Sequence, residues 1–165
     1  MTGFVKLPDL VFGALAERPD ADWHRAPPLK WTPAQIADHL AKGLDRSSRR
    51  FEEQRSRPPM RRRPRPWFAW FAHQAIIRLG WFPSGFTAPE GTQPGDRPDP
   101  ATVQRTFREA HARFLELERT LLPTRRHDLF VKHPVIGDLT LEEWLRFHDV
   151  HCRHHARQIR ERLSG

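Results

Sequence analysis

The stretch from Leu141 to Leu163 reads LEEWLRFHDVHCRHHARQIRERL and holds four of the ten histidines, His148, His151, His154 and His155. Placed on a helix at about 100° per residue, Leu141, Trp144, His148, His151, Cys152, His155 and Ile159 share one arc, with Glu142, Arg146, Asp149, Arg153 and Arg160 opposite. The histidines on the arc face inward, where each costs about 1–3 kcal/mol if it finds no polar partner. His151 and His155 are four residues apart, which stacks two imidazoles one turn apart on one face. From that face two ligands reach a single metal ion. His154 points off the flank. Thr140 and Glu143 form a T-x-x-E capping box, which sets the start of this helix and its register.

Three further segments carry helical periodicity and can cover the arc. Thr32 reads as an N-cap, with Pro33 at the first helical position and Gln35 completing a capping box. The helix that follows is predicted to run to about Glu53, its inner arc being Ile36, Leu40, Gly43, Leu44, Ser47 and Phe51. His39 lies at the edge of that arc, and periodicity alone does not separate a ligand there from a flank residue. Residues Trp67 to Leu79, ending at Gly80, form the most apolar segment. Trp67, Trp70, Phe71, Ile77 and Leu79 surround it, which predicts the most deeply packed helix, or a dimer surface where part of it is exposed. His73 within it is a pocket candidate, although a satisfied core histidine is the simpler reading. From about Ala101 to Leu122, Val103, Phe107, Ala110, Phe114, Leu117 and Leu121 repeat at inward spacing, with His111 a structural neighbour.

The expected fold is all-α, a four-helix bundle with little or no sheet. At 165 residues the chain is read as one domain, with residues 1–30 as an N-terminal extension packed outside the core and 31–165 as the bundle. His24 in the extension is placed in a solvated loop. The connections are long and rich in Pro and Gly, above all the twenty residues WFPSGFTAPEGTQPGDRPDP, a length typical of a functional lid or a linker. Apolar content is only 38% and Pro stands at 16, but the prolines gather in connections and the apolar residues in helices, unlike a disordered chain.

A net charge of +8 favours anionic partners. The linker RSRPPMRRRPRPW is the best local case for nucleic acid, since clustered arginines neutralise phosphates. No aromatic residues interleave with them as a stacking platform requires, and no recognised nucleic-acid motif accompanies them. Solvated loop surface is therefore the preferred reading. The single cysteine, Cys152, excludes an internal disulfide framework and suits a reducing compartment. With no signal pattern and no apolar run near the roughly 20 residues of a membrane span, a cytoplasmic protein is expected.

Two motifs carry a resemblance. A helix begun by Trp31-Thr-Pro-x-Gln-Ile-x-x-His39-Leu, and a last helix reading Glu-Trp-x-x-Phe-x-x-x-His151-x-x-His-His155-x-x-Gln158, resemble the DinB/YfiT-like superfamily from about Trp31 to the end. The segments LGWFPSGFTAP and HPVIGDLTLEEW are similar to one branch of it that is catalogued only as a domain of unknown function. The resemblance implies a four-helix bundle holding one divalent metal through His39, His151 and His155, with His39 assigned by the family pattern. Three neutral imidazoles leave a coordination position open, as catalytic sites do. Zinc comes first and nickel second, since imidazole suits both. His148 is a candidate to support the ligands, to carry a proton or to be a fourth ligand, the first being preferred, and Gln158 is a further supporting candidate.

Characterised relatives in the superfamily include thiol-dependent transferases, which makes a metal-dependent enzyme of thiol-transferase type the leading expectation, with a low-molecular-weight thiol as a second cofactor and an unidentified small-molecule substrate. No carboxylate accompanies the inner histidines, so a hydrolase has no evident base. The alternative is a non-enzymatic metal-binding or stress-response bundle acting through a partner or as a homodimer. A basic nucleic-acid-binding surface comes third.

Overall fold

The computed structural model describes residues 2–82 and 87–164, and part of the long Pro/Gly connection lies outside the described residues. The fold is mostly helical. Its long helices are α4 (Pro33–Gln54), α6 (Pro100–Arg125) and α7 (Leu141–Ser164). Short α1 (Thr2–Val5), α2 (Leu7–Phe12) and α3 (Asp20–Trp23) precede them, and α5 (Trp67–His73) lies between α4 and α6. The single small sheet pairs β1 (Val131–His133) with β2 (Gly137–Leu139) antiparallel, Lys132 opposite Asp138. No helix of the described residues is long and apolar enough to cross a membrane.

Both capping boxes form. The Gln35 N–H donates to Thr32 Oγ1 at 3.2 Å and the Thr32 N–H to Gln35 Oε1 at 3.1 Å, while the Thr140 N–H donates to Glu143 Oε2 at 2.8 Å. Each box satisfies helix-end donors that have no partner within the helix. The core lies where α4, α6 and α7 meet, with Leu40, Leu44 and Phe51 of α4 packed among Phe107, Phe114 and Leu117 of α6, all fully buried. The Trp144 Nε1–H donates to the Val131 carbonyl at 2.9 Å, fastening the sheet to α7.

Three expectations need correction. The N-terminal segment is not an outer layer. Phe4, Leu7, Val11, Phe12, Leu15 and Trp23 are buried core residues, and α2 packs on both α6 and α7. This segment covers the polar back of α7, so that Asp149 is buried under α1 and paired with Arg153 at 3.0 Å. The His111 Nε2–H meets the Phe4 carbonyl at 2.8 Å, a structural role as its position suggested. His24, placed in a solvated loop by the sequence, has its side chain only 9% exposed, against Asp20.

Second, the most apolar helix is the least buried. Trp67, Phe68, Trp70, Phe71 and Leu79 are exposed, while Ala69, His73 and Ile76 are buried and Ala72 and Ile77 pack partly buried against the core. α5 is seven residues long and runs into a π-helical turn, Gln74–Arg78, before Gly80 ends it at φ 69°. So short an element buries one side, and the rest of its aromatic ring faces outward.

Third, the basic linker is exposed surface, as read, but it is tied down as a strap. The Arg63 backbone N–H and guanidinium both donate to the buried Asp138 carboxylate, Nε at 2.9 Å. The Arg65 Nε donates to the Ile136 carbonyl at 2.9 Å, and Arg62 pairs with Glu143. Three of the arginines proposed for phosphate contact are thus turned onto the protein's own sheet and helix cap.

Candidate metal centre

α4 and α7 pack together with their histidine faces toward each other, and three buried imidazoles converge: His39, His151 and His155. The Nε2 atoms of His39 and His151 are 3.2 Å apart and those of His155 and His151 3.0 Å. Two metal–nitrogen bonds of about 2.05 Å separate their nitrogens by about 2.9 Å at a right angle and about 3.3 Å at a tetrahedral one. The observed spacings match that range.

The outer nitrogens decide which way the lone pairs point. His39 Nδ1–H donates to the Thr92 carbonyl at 2.8 Å, and His155 Nδ1–H donates to Gln158 Oε1 at 2.7 Å. Each bond places the proton on Nδ1 and leaves Nε2 as a bare lone pair aimed into the cluster, the arrangement of metal-ligating histidines. Gln158 is itself oriented, since its Nε2–H donates to His154 Nε2 at 3.2 Å. His151 Nδ1 is buried and has no partner among the described residues. Converging lone pairs repel one another, and a bound cation relieves that repulsion. The donor set therefore fits a divalent ion.

Burial also keeps the imidazoles neutral. It holds His39 below the ordinary histidine pKa against the opposing bond to Thr92, takes His155 down to about 3, and lowers His151 well below its ordinary value, where the neighbouring histidines add to the effect. Neutral imidazole is the form that ligates. Phe82 stacks on His151 with centroids 4.8 Å apart, and Trp31 lies 5.2 Å from His39, so apolar rings wall the cluster.

The three histidines line a cleft of about 1130 Å³ between α4, α5 and α7, with exposed Trp67, Phe71 and Trp81 among its walls. Among its described lining residues none is Asp or Glu, in keeping with the sequence reading that no carboxylate base accompanies the histidines. His148 lines the same cleft but lies outside the three-histidine group. Ser47 Oγ lies 2.8 Å from His148 Nε2 and donates its proton to the Gly43 carbonyl at 2.6 Å, which leaves the imidazole N–H as donor to the hydroxyl. His73 is elsewhere, its Nε2–H donating to Glu143 Oε1 at 2.9 Å, away from this cleft. Cys152 is fully buried and burial pushes its thiol pKa up, so it is no nucleophile.

Four residues that line the cleft were not assigned from sequence: Thr92, His133, His154 and Arg46. Thr92 contributes a backbone carbonyl, which leaves no trace in residue type. His154, read as an outer-flank residue, also lines the cleft and tilts against Phe82. His133 sits in the quoted HPVIGDLT segment, but only the folded turn shows its orientation.

The class defined so far is a helical protein with a buried three-histidine centre opening into an apolar cleft. The chain belongs to the DinB superfamily, whose family profile matches residues 4–159. That match includes the N-terminal helices, so the likeness extends well before Trp31. Among curated proteins and among solved structures, nothing matches the chain.

Proposed function

We propose that the protein is a metal-dependent enzyme of thiol-transferase type whose single divalent ion is held by His39, His151 and His155. The observation that carries this reading is the convergence of three imidazoles, with His151 Nε2 at metal-ligand spacing from both His39 Nε2 and His155 Nε2 and two of the rings fixed by the outer bonds to Thr92 and Gln158. An ion held there supplies Lewis acidity that lowers the pKa of a thiol, so that thiolate exists at neutral pH. Zinc is preferred and nickel comes next, because imidazole nitrogens suit both.

The chain's own residues do the remaining work. Thr92 and Gln158 hold two of the ligand rings in orientation, and Phe82, Phe147 and Trp31 limit water around the cluster. The cationic lining of the cleft suits an acidic low-molecular-weight thiol. An open cleft over the histidines favours an enzyme over a sealed, non-enzymatic metal-binding bundle.

Elemental analysis of purified protein tests the centre. Near one equivalent of metal is expected in the unaltered protein and in His154→Ala, and none in His151→Ala, His155→Ala or His39→Ala. Full occupancy in the His151→Ala/His155→Ala double variant would remove the basis for the reading. Activity is tested by following consumption of a low-molecular-weight thiol with an electrophile such as chlorodinitrobenzene. Acceleration that a chelator abolishes is expected, and a rate equal to the protein-free control would leave the metal-binding bundle as the better account.

A further inference from the structure

The cleft over the histidines carries one sign of charge. Its described lining includes Lys30, Arg46, Arg50, Lys132 and Arg162 and no acidic residue. Two of these cations already have partners: Arg50 pairs with Glu53 at 2.9 Å, and Arg162 Nε donates to the Trp31 carbonyl at 3.2 Å. Lys30 and Lys132 lie in exposed loop and strand positions. Arg46 is exposed as well, but it stands on the helix that carries His39. It follows His39 by seven residues, two turns along the same face of α4, and makes no hydrogen bond or ion pair among the described residues.

Two glycines shape the space around Arg46. Its guanidinium lies over Gly91, where a Cβ would collide with it. Gly91 precedes Thr92, the residue whose carbonyl holds His39, so the positive charge is kept at the histidine end of the cleft. Gly43 lies between His39 and Ser47, and a Cβ there would meet nothing within 4 Å. Glycine inside a helix costs about 1 kcal/mol relative to alanine, and here it leaves open room beside the guanidinium.

The far wall supplies a neutral donor. His133 Nδ1 accepts the backbone N–H groups of Val135 at 3.1 Å and Ile136 at 3.2 Å. Its proton is therefore on Nε2, and burial, which takes its pKa down to about 4, keeps the ring neutral. The remaining walls are apolar, with Phe71, Ile76, Trp81 and Phe147 prominent. A small inorganic anion would leave those walls wet, and an uncharged apolar molecule would leave the exposed guanidinium with water alone as its partner.

We infer that the cleft takes an organic anion with an apolar body, its acidic group on Arg46 beside the histidine centre, its body against the aromatic wall of α5, and the His133 Nε2–H available to a second polar atom. This inference names the substrate class for the site under Proposed function and rests on that reading for its chemistry, while the binding itself needs no metal.

Calorimetric titration with 2-naphthoate and its neutral counterpart 2-naphthamide tests it, on the full-length protein as purified and again after dialysis against a chelator. The carboxylate binds at least tenfold tighter than the amide in both preparations. Arg46→Gln brings the ratio to near one and leaves the amide affinity unchanged, whereas Arg46→Lys keeps most of the preference. Gly43→Leu weakens both ligands by filling the open space. For the unaltered protein, the preference declines as salt is raised. Failure of both ligands to bind, equal affinities, or an unchanged ratio in Arg46→Gln would overturn the assignment. A preference lost in Lys132→Gln but not in Arg46→Gln would do the same by moving the anchor across the cleft. A carboxylate preference in protein that takes up no metal would leave the inference standing and remove the metal reading; metal uptake without the preference does the reverse.

Discussion

Gly43→Ala should stabilise the protein while narrowing its cleft. Gly43 lies well inside α4, and it is not among the residues with positive φ, so its backbone is one that alanine adopts without strain. A Cβ built on it has no heavy atom within 4 Å, so nothing must move. The change reduces the freedom of the unfolded chain and should add about 0.5–1 kcal/mol of stability. In a chain of this size that raises Tm by about 1–4 °C. Gly80→Ala provides the opposite sign. There φ is 69°, and an added Cβ would lie 2.9 Å from Arg146 Nη2, so a loss of about 1 kcal/mol or more is expected. Urea unfolding followed by far-ultraviolet circular dichroism measures both variants. A destabilised Gly43→Ala protein would refute the reasoning, because it would mean that the space above Gly43 is occupied in solution.

Three other outcomes follow from the packing. Asp138→Asn should cost about 1 kcal/mol in urea unfolding: charge-assisted bonds are worth about 1.5–3 kcal/mol, discounted because the Arg63 end of the pair stands in water. A change within the error of the measurement would mean that the linker is not held by this pair. Stability should also fall with acid in two windows. His133 stays neutral in the fold down to about pH 4 while its unfolded counterpart takes a proton below 6.5, so stability declines as pH drops between those values, and His133→Asn makes that slope shallower by one proton. Burial alone would raise the Glu143 pKa, but bonds from His73, the Thr140 N–H and Arg62 outweigh it and hold the carboxyl at about 2, so its contribution persists above 4.5 and is lost as pH falls toward 2. Unfolding curves from pH 7 to 2.5 test both, and Glu143→Gln should make the lower decline shallower, since Asp138 and other paired carboxylates contribute there too. Finally, the outward side of α5, with Trp70 48% and Leu79 79% exposed, favours a homodimer. Sedimentation equilibrium should then report a dimer that Trp70→Ser weakens, and a monomer at every accessible concentration would dismiss it.

The last helix was legible because three independent signals coincide there: a capping box, an inward arc and a four-residue histidine spacing. All three report on local geometry, which sequence carries directly. The stripe of α6 was equally clear, and its inner residues are all buried. α5 was misread for a definite reason. Hydrophobicity predicts burial only when enough neighbouring surface exists to cover it, and a seven-residue helix beside an open cleft has neighbours on one side alone. The strap was read only in part, because its residues are exposed as expected but also tied down. A run of arginines looks untethered until a buried carboxylate is found opposite, and Asp138 lies 75 residues from Arg63. The role of the N-terminal helices was hidden in the same way, since the back of α7 is polar in sequence and needs a cover only because Asp149 and its arginine partners form a layer under α1.

His39 shows where local reasoning ends at the site itself. Its place at the edge of the α4 arc made it ambiguous, and the family pattern, not periodicity, singled it out. What makes it suited to a metal is a carbonyl 53 residues away, since without the Thr92 oxygen the proton could sit on either nitrogen. The same carbonyl belongs to the turn that carries Gly91 and supports Arg46. One short turn thus orients a ligand ring and packs against a cation that lines the same cleft. Replacing Gly91 with Ala should accordingly displace Arg46 while leaving the Thr92 carbonyl on His39, which separates anion binding from metal binding within a single loop.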